Sequence, residues 1–330
     1  MKRVAIVILF LFILILSGCF GSGNPGDNSG GGDTQYRRDM RQFVQGISDY
    51  ARGIQTGFIV IPQNGGEILT VDGDPTGTPV AEYISAIDGV GREDLFYGYD
   101  NDDTPTSTAD RNYLIPWMDL ARSQGLTVLV TDYCSTPGNM DDSYTQNHAK
   151  GYLSFAADDR ELRDIPGYPA TPHEVNTANI NTLSDAKNFL YLLNPENYNS
   201  TAEFIAALDN TNYDLIILDL DFNGNALTAT DLTSLKTKLN GGKRLLIAYM
   251  SIGEAEDYRY YWNHDWGTSP PAWIDQEDPN WTGNYWVRYW DPDWQQIIYG
   301  NDQSYLKKII DAGFDGVYLD IIDAFEHFEN

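Results

Sequence analysis

Short apolar runs alternate with amphipathic stretches along the chain from residue 36 onward. The apolar runs are rich in β-branched and aromatic residues and predict eight strands, at residues 58–62, 95–99, 127–133, 152–156, 189–194, 215–220, 245–251 and 316–321. The amphipathic stretches predict helices, at residues 37–54, 109–124, 201–208, 229–239 and 303–312. Strands that alternate with helices pair in parallel, so the pattern predicts an α/β fold.

Eight such strands within residues 36–330 fit a closed (β/α)8 TIM barrel. An open doubly wound sheet is the alternative architecture. It is less favoured, because no glycine-rich dinucleotide fingerprint follows any predicted strand. The segment 262–289 is rich in Trp and Pro and has no regular period. Irregular segments of that length within one domain tend to be functional, so we expect it to border a binding site.

The first 35 residues differ in character from the rest. The opening MKR precedes an apolar run at 4–16, which is shorter than the roughly 20 residues that a membrane-spanning helix needs. The sequence LSGC at 16–19 resembles the lipobox of bacterial lipoproteins, in which the cysteine is diacylated; an uncleaved anchor is the alternative. We therefore expect a signal peptide at 1–18, a lipid on Cys19, a flexible linker at 19–35 and a catalytic domain at 36–330. Such a protein would be exported and attached to the membrane on its extracellular or periplasmic side.

The charge of the chain limits the classes of molecule that it is expected to bind. The formal net charge is -27 at pH 7, and a surface that acidic repels phosphate backbones, so nucleic-acid binding is not expected. An uncharged or cationic substrate would suit it. The 8 Trp and 22 Tyr include enough aromatic rings to stack on sugars, although core packing also uses them. With Cys19 lipidated, Cys134 would have no partner, so disulfides do not hold the fold.

Polar side chains follow nearly every predicted strand, at the end where such barrels place their active sites. They are Gln63, Asn64, Tyr99, Asp100, Asp132, Tyr133, Asp158, Asp219, Asp221, Glu254, Glu256, Asp320 and Asp323. Glycoside hydrolysis needs two carboxyl groups whose environments separate their pKa values. We expect Asp320 and Glu254 to form that pair, with Glu256 and Asp219 as reserves. Any one of these carboxylates could instead cap a helix.

Other chemistries find less support in the sequence. The four histidines, His148, His173, His264 and His327, have no paired spacing, so we expect neither a zinc site nor another metal or cofactor. A carboxylate-bound Ca²⁺ or Mg²⁺ has no loop signature. No nucleophile elbow is present, and the lone Cys134 is best read as a packed, unreactive thiol.

Four ordered segments carry a family resemblance: YMSIGEAEDYR at 249–259, PPAW at 270–273, NYWVRYWDP at 284–292 and GFDGVYLD at 313–320. They resemble the glycoside hydrolases grouped with endo-α-1,4-polygalactosaminidase, glycoside hydrolase family 114. Residues 57–65 and 93–100 also resemble segments of that family, so the resemblance covers most of the body. It implies a (β/α)8 barrel that cleaves α-1,4-linked galactosamine polymers, and a polycationic substrate suits an acidic enzyme.

Two departures from the family pattern affect the prediction. The family carries a glutamate two residues before the aspartate of the last strand, where this chain has Tyr318, so the carboxylate pair has to be assigned as above. The order of the segments also differs, as in a circular permutation: residues 325–329 end the chain, whereas in the family they would lead into the helix at 37–54. The permuted barrel would close by pairing residues 152–156 with 189–194.

The sequence therefore predicts a lipid-anchored glycoside hydrolase that acts on an extracellular or envelope polysaccharide. Residues expected to position the sugar are Gln63, Asn64, Tyr99, Asp100, Asp132, Tyr249, Trp290 and Asp323. The competing interpretation is a carbohydrate-binding lipoprotein that keeps the barrel without catalysis, and Tyr318 is the feature that favours it.

Overall fold

Parallel strands form the frame of the molecule. A computed structural model describes residues 33–329, so the predicted signal peptide, Cys19 and most of the predicted linker lie outside the described residues. The strands in chain order are β1 (Ile59–Pro62), β2 (Gly89–Glu93), β3 (Thr127–Tyr133), β4 (Leu153–Ala157), β5 (Phe189–Leu192), β6 (Leu215–Leu218), β7 (Asp221–Phe222), β8 (Asn225–Ala226), β9 (Leu245–Ser251), β10 (Glu254–Glu256), β11 (Ile274–Glu277), β12 (Asn284–Val287) and β13 (Gly316–Asp320).

Helices connect most of the long strands. They are α1 (Gln35–Ile54), α2 (Ala81–Ala86), α3 (Thr108–Ser123), α4 (Pro137–Lys150), α5 (Thr201–Asp209), α6 (Ala229–Leu235), α7 (Pro292–Ile298), α8 (Tyr305–Ala312) and α9 (Phe325–Glu329). None of the helices in residues 33–329 has the length and apolarity that crossing a membrane requires. Two helices begin at side-chain N-caps: Ser200 accepts from Glu203 N at the start of α5, and Thr228 forms a capping box at the start of α6.

Eight of the strands are parallel and follow one spatial order. One sheet has the order β1-β13-β9-β6-β5 and another has the order β2-β3-β4. A parallel bridge between Gln63 and Gly91 and a hydrogen bond from Asp88 N to Val60 O join β2 to β1. The combined order is therefore β4-β3-β2-β1-β13-β9-β6-β5, and the predicted α/β fold with parallel strands is confirmed.

The two outermost strands, β4 and β5, meet at a seam. Among the described residues no backbone hydrogen bond joins β4 to β5, so the predicted closure by pairing 152–156 with 189–194 is not formed as a ladder. Contact across the seam is made by side chains, since the rings of Phe155 and Phe189 lie 5.7 Å apart. The chain after β4 also contributes, because Leu162 O accepts from Leu193 N at 3.0 Å.

The core lies between the strands and the helices around them. The four residues of β6 are all fully buried, as expected for a parallel strand that is covered on both faces. Helix α1 buries Met40, Phe43, Val44 and Ile47, whose spacing of three to four residues places them on one face. The continuous apolar runs in the sequence therefore mark the buried strands, which explains why most strands were predicted within a residue or two.

One strand prediction is wrong. The predicted strand at 95–99 is an irregular buried segment, and the true strand, β2, lies six residues earlier at Gly89–Glu93. Two glycines lower the strand propensity of that segment, but the packing requires them. A Cβ on Gly91 would lie 2.0 Å from the Tyr318 hydroxyl oxygen, and one on Gly89 would lie 2.5 Å from Thr127 O. Helix α4 was also not predicted.

Candidate active site

A cleft of about 450 Å³ opens at the carboxyl ends of the eight parallel strands, the end at which the sequence places the site. Every one of the eight contributes a side chain to its wall. These residues are Gln63 after β1, Glu93 on β2, Tyr133 on β3, Arg160 after β4, Asn194 after β5, Asp219 after β6, Tyr249 on β9 and Asp320 on β13. The apolar strands thus end in a continuous polar surface.

Asp320 occupies the floor of this cleft and is half-buried. Tyr249 Oη donates to its Oδ2 at 2.7 Å, and Ile321 N donates to its Oδ1 at 2.9 Å. Burial raises the pKa of Asp320, the two hydrogen bonds oppose that rise, and the nearby Glu256 carboxylate adds to it. The structure therefore brings together the predicted residues Asp320 and Tyr249 and leaves one side of the carboxylate facing the cleft.

Glu254 also lines the cleft, but its surface is fully buried. Asn284 Nδ2 donates to Glu254 Oε2 at 3.0 Å. Burial raises the pKa of Glu254 to about 8, and the neighbouring Asp278 carboxylate contributes, because it accepts a hydrogen bond from the protonated acid. A pKa near 8 keeps Glu254 mostly protonated at neutral pH.

Glu93 also contributes a carboxyl group to the cleft, and the sequence did not predict it as a site residue. It is half-buried at the end of β2, where Tyr133 Oη and Gln63 Nε2 donate to its two oxygens. Burial and the charge of Asp320 raise the pKa of Glu93 to about 7, although the hydrogen bond from Tyr133 opposes the rise. Because β2 was predicted six residues too late, the residue that ends it could not be recognised as a strand-end carboxylate.

The two reserve carboxylates, Glu256 and Asp219, are bound to one arginine. Arg259 Nη1 lies 2.7 Å from Asp219 Oδ2 and 2.8 Å from Oδ1, and Arg259 Nε lies 2.5 Å from Glu256 Oε2. Tyr258 Oη donates to the other oxygen of Glu256. Breaking these charge-assisted bonds would leave Arg259, which is itself buried, without a partner. The structure therefore places Glu256 and Asp219 in the wall of the cleft, where both are paired with Arg259.

A second cavity of about 300 Å³ adjoins the cleft, and Asn64 and Asp323 line both. Tyr99 lines only the smaller cavity. Burial and the charge of Asp320 raise the pKa of Asp323 to about 7. Of the residues predicted to position sugar, Gln63, Asn64, Tyr249 and Asp323 therefore border the cleft, and Tyr99 borders its extension.

Three predicted sugar-binding residues lie elsewhere. Asp132 is fully buried and accepts four hydrogen bonds, from Phe96 N, Tyr97 N, Ser143 Oγ and Asn147 Nδ2, so it organises a loop and a helix. Trp290 packs against Tyr36 and Phe328, 5.2 and 4.8 Å away. Asp100 is exposed and lines neither of the two cavities. Asp132 and Trp290 therefore have structural partners away from the cleft, and Asp100 lies on the open surface.

Two exposed aromatic residues that the sequence did not single out border the cleft. Trp281 is 56% exposed and Tyr258 is 63% exposed, and both line the cleft. Trp281 lies within the segment 262–289, which the sequence predicts to border a binding site. An exposed indole beside a polar cleft is a surface on which a sugar ring can stack. Composition alone could not separate this Trp from the buried Trp273 and Trp294.

Residues that could bind a metal ion lie outside the cleft. Among residues 33–329, one group of three such side chains has ligand atoms within 4.8 Å of one another: His148, His173 and Glu174. None of the three lines the cleft. The cleft itself therefore offers carboxyl groups, phenols and amides, which are groups for acid–base chemistry and sugar recognition.

Comparison with known proteins supports this interpretation. Residues 170–330 match the model of glycoside-hydrolase family GH114. An uncharacterised protein of Methanocaldococcus jannaschii is 40% identical over 153 residues, which is 46% of this chain and 41% of that protein. An uncharacterised protein of Thermotoga maritima is 38% identical over 121 residues, which is 37% of this chain and 36% of that protein. An uncharacterised protein of Deinococcus radiodurans is 41% identical over 125 residues, which is 38% of each chain. The chain thus spans about two fifths of the length of these relatives. Residues 170–330, just under half of the chain, contain Asp320 and Glu254 and are similar to glycoside-hydrolase family GH114.

Proposed function

We propose that this protein is a glycoside hydrolase that cleaves a polysaccharide rich in amino sugars. The observation that carries the proposal is the surroundings of Asp320. This carboxylate faces a cleft with the strand-end position of a barrel active site, and three other carboxyl groups of the same cleft, Glu93, Asp323 and Glu254, have pKa values raised to about 7, 7 and 8. One ionised and one protonated carboxyl group are what glycoside hydrolysis requires.

Asp320 supplies the ionised group. Its hydrogen bonds from Tyr249 and Ile321 N stabilise the carboxylate and fix its orientation, so it acts as the nucleophile or as the base that activates water.

The proton donor comes from Glu93 or from Glu254, the residue predicted from the sequence. We assign this role to Glu93, because it is half-buried and the charge of Asp320 helps to raise its pKa, whereas Glu254 is fully buried. A general acid has to reach the leaving oxygen, which favours the less buried of the two groups. Glu254 then stabilises the site with Asn284, which holds one of its oxygens.

The charge of the cleft supports an amino-sugar substrate. Its carboxyl groups outnumber its cations, and both arginines are engaged: Arg259 with Glu256 and Asp219, and Arg160 with Asp94 and Asp102. A sugar ammonium group would be attracted to the remaining negative charge. The resemblance to endo-α-1,4-polygalactosaminidases points to α-1,4-linked galactosamine, and the indole of Trp281 is placed to stack on a ring.

The architecture that we propose is a closed and circularly permuted (β/α)8 barrel. Side chains already meet across the seam between β4 and β5, and the family match begins at residue 170, within the connection between these two strands. A family unit that starts at this point would contain β5 to β13 before β1 to β4. A crystal structure in which solvent separates β4 from β5 would refute closure.

We further propose that the protein is exported and attached to a membrane by lipid on Cys19. Support comes from the sequence at 1–19, which lies outside the described residues. Metabolic labelling with a fatty acid should mark the wild-type chain and not Cys19→Ser, and the variant should leave the membrane fraction. Equal labelling of both proteins would contradict the proposal.

The test of catalysis is Asp320→Asn. We expect this variant to release no reducing ends from an α-1,4-galactosamine polymer, while its midpoint of thermal unfolding stays within a few degrees of the wild type. Asp311→Asn is the matched control, because Asp311 is exposed on α8 and, within residues 33–329, forms an ion pair only with Lys307. Full turnover by Asp320→Asn would exclude Asp320 from the chemistry. A wild-type protein that binds the polymer without cleaving it would favour the non-catalytic interpretation.

A further inference from the structure

A cluster of two imidazoles and one carboxylate lies on the outside of the fold, in the connection between β4 and β5. His148 is near the end of α4, and His173 and Glu174 belong to the connection. One ligand atom from each lies within 4.8 Å of the others. The fold brings together residues 25 positions apart, which is why the sequence, searched for paired spacing, predicted no metal site.

We propose that His148, His173 and Glu174 bind a Zn²⁺ ion that fastens the connection between β4 and β5 to helix α4. Two imidazole nitrogens and one carboxylate oxygen form a donor set typical of zinc, with water completing four-coordination. Mg²⁺ and Ca²⁺ prefer sites made of oxygen ligands, so they suit this cluster poorly.

The contacts of the cluster support a binding site. His148 Nδ1 lies 3.4 Å from Glu174 Oε1, and the His148 and His173 rings meet edge to face with centroids 6.3 Å apart. His173 Nε2 is buried and has no hydrogen-bond partner among the described residues. A buried polar atom without a partner is costly, and a metal ion would satisfy it.

The distances require a small adjustment. Zinc binds nitrogen and oxygen at about 2.0–2.2 Å, which brings tetrahedral ligand atoms to roughly 3.5 Å of one another. The side chains of His148 and Glu174 are 63% and 38% exposed, so both can change rotamer without disturbing the core. His173 is held in place, because its ring stacks on Tyr144 at 4.6 Å.

The position of the cluster indicates a structural role. Helix α4 ends just before β4, so His148 lies at the amino ends of the strands, opposite the cleft. Tyr144, on the same helix, accepts a hydrogen bond from Ala156 N of β4. A metal ion here would connect residues 173–174 to α4, and through Tyr144 to β4, and so restrain the chain that spans the seam.

The experiment uses the full-length protein without a histidine tag, stripped of metal with a chelator. We expect it to bind one Zn²⁺ per chain by titration calorimetry and to unfold at a higher temperature with Zn²⁺, whereas Mg²⁺ and Ca²⁺ leave the unfolding temperature unchanged. Replacing Zn²⁺ with Co²⁺ should give the visible absorption of a four-coordinate ion.

Variants distinguish this site from adventitious binding. His148→Ala and Glu174→Gln alter exposed residues and should fold, yet we expect each to weaken Zn²⁺ binding by more than roughly tenfold. His264→Ala is the control, because His264 is exposed in a different loop, and it should bind Zn²⁺ like the wild type. Binding that survives both His148→Ala and Glu174→Gln, or a wild-type protein that Zn²⁺ does not stabilise, would overturn the proposal. The site is independent of the proposed hydrolysis, so loss of Zn²⁺ binding should accompany unchanged turnover at low temperature.

Discussion

The exchange of Glu93 for Gln tests the assignment of the proton donor. Glutamine keeps the size of the side chain and can still interact with Tyr133 and Gln63, but it has no acidic proton to give. Positioned general acids contribute about 10²–10⁴-fold to the rate. We therefore expect Glu93→Gln to lower kcat/KM for the galactosamine polymer by about two to four orders of magnitude.

The pH dependence gives a second measure of the proton donor. A general acid works in its protonated form, so activity is present below its pKa and is lost as the pH rises through it. The wild-type kcat/KM should therefore fall on the alkaline side with a midpoint between about 7 and 8, and Glu93→Gln should lose this alkaline limb. On the acid side, activity should fall as Asp320 becomes protonated, at a pH above the usual range for Asp, because burial raises its pKa.

A second variant moves this midpoint without removing the acid. The hydrogen bond from Tyr133 lowers the pKa of Glu93, so Tyr133→Phe should raise that pKa and shift the alkaline limb to higher pH. The assay is the release of reducing ends across a pH series, repeated with an aryl glycoside whose leaving group needs no proton. With that substrate the deficit of Glu93→Gln should shrink. A Glu93→Gln enzyme that keeps more than a tenth of its activity, beside a Glu254→Gln enzyme that loses the alkaline limb, would refute our assignment.

Three further predictions concern residues around the site and in the core. Asp214 and Lys238 form an ion pair at 2.7 Å, and both side chains are fully buried. We expect Asp214→Asn to lower the free energy of unfolding in urea by about 3–5 kcal/mol, because it leaves a buried charge without its partner. A change below about 1 kcal/mol would argue that the pair is not isolated from water. Tyr318→Phe deletes a buried hydroxyl that has no hydrogen-bond partner among the described residues. We expect the free energy of unfolding to stay level or to rise by up to about 1 kcal/mol, with kcat unchanged. A loss of kcat would show that this phenol takes part in catalysis. Trp281→Ala should raise KM for the polymer by about threefold to tenfold and leave thermal unfolding unchanged, since the exposed indole packs on little else; an unaltered KM would remove it from sugar binding.

The sequence predicts the strands of this fold where burial is continuous. Strands β3 and β9 match their predicted bounds, because a parallel strand covered on both faces reads as an unbroken apolar run. The strand prediction fails at β2, where the close approach of Thr127 and Tyr318 requires Gly89 and Gly91. Close packing between distant segments leaves no local signal, so both the strand and the carboxylate at its end were missed.

The residues of the candidate site were also predicted only in part from the sequence. Asp320 was found because the carboxylate directly follows an apolar run in a parallel strand. Asp132 satisfies the same rule, yet its oxygens accept from Phe96 N, Tyr97 N, Ser143 and Asn147 in the interior. Which strand-end carboxylate faces solvent depends on the loops that fold over it, and those contacts are formed between residues distant in sequence.

The strand order separates a rigid wall of the cleft from a compliant one. Glu93, Gln63, Asp320 and Tyr249 sit on or directly after β2, β1, β13 and β9, the four central strands, and each of these is bonded through its backbone on both sides. The outer strands β4 and β5 have one unbonded side each, and apart from Tyr191 of β5 they contribute to the cleft through the segments that follow them. If the chain widens along that unbonded line, the width of polymer that the groove admits would change, while the spacing of the proposed catalytic carboxyl groups, Glu93 and Asp320, on the opposite wall would stay constant.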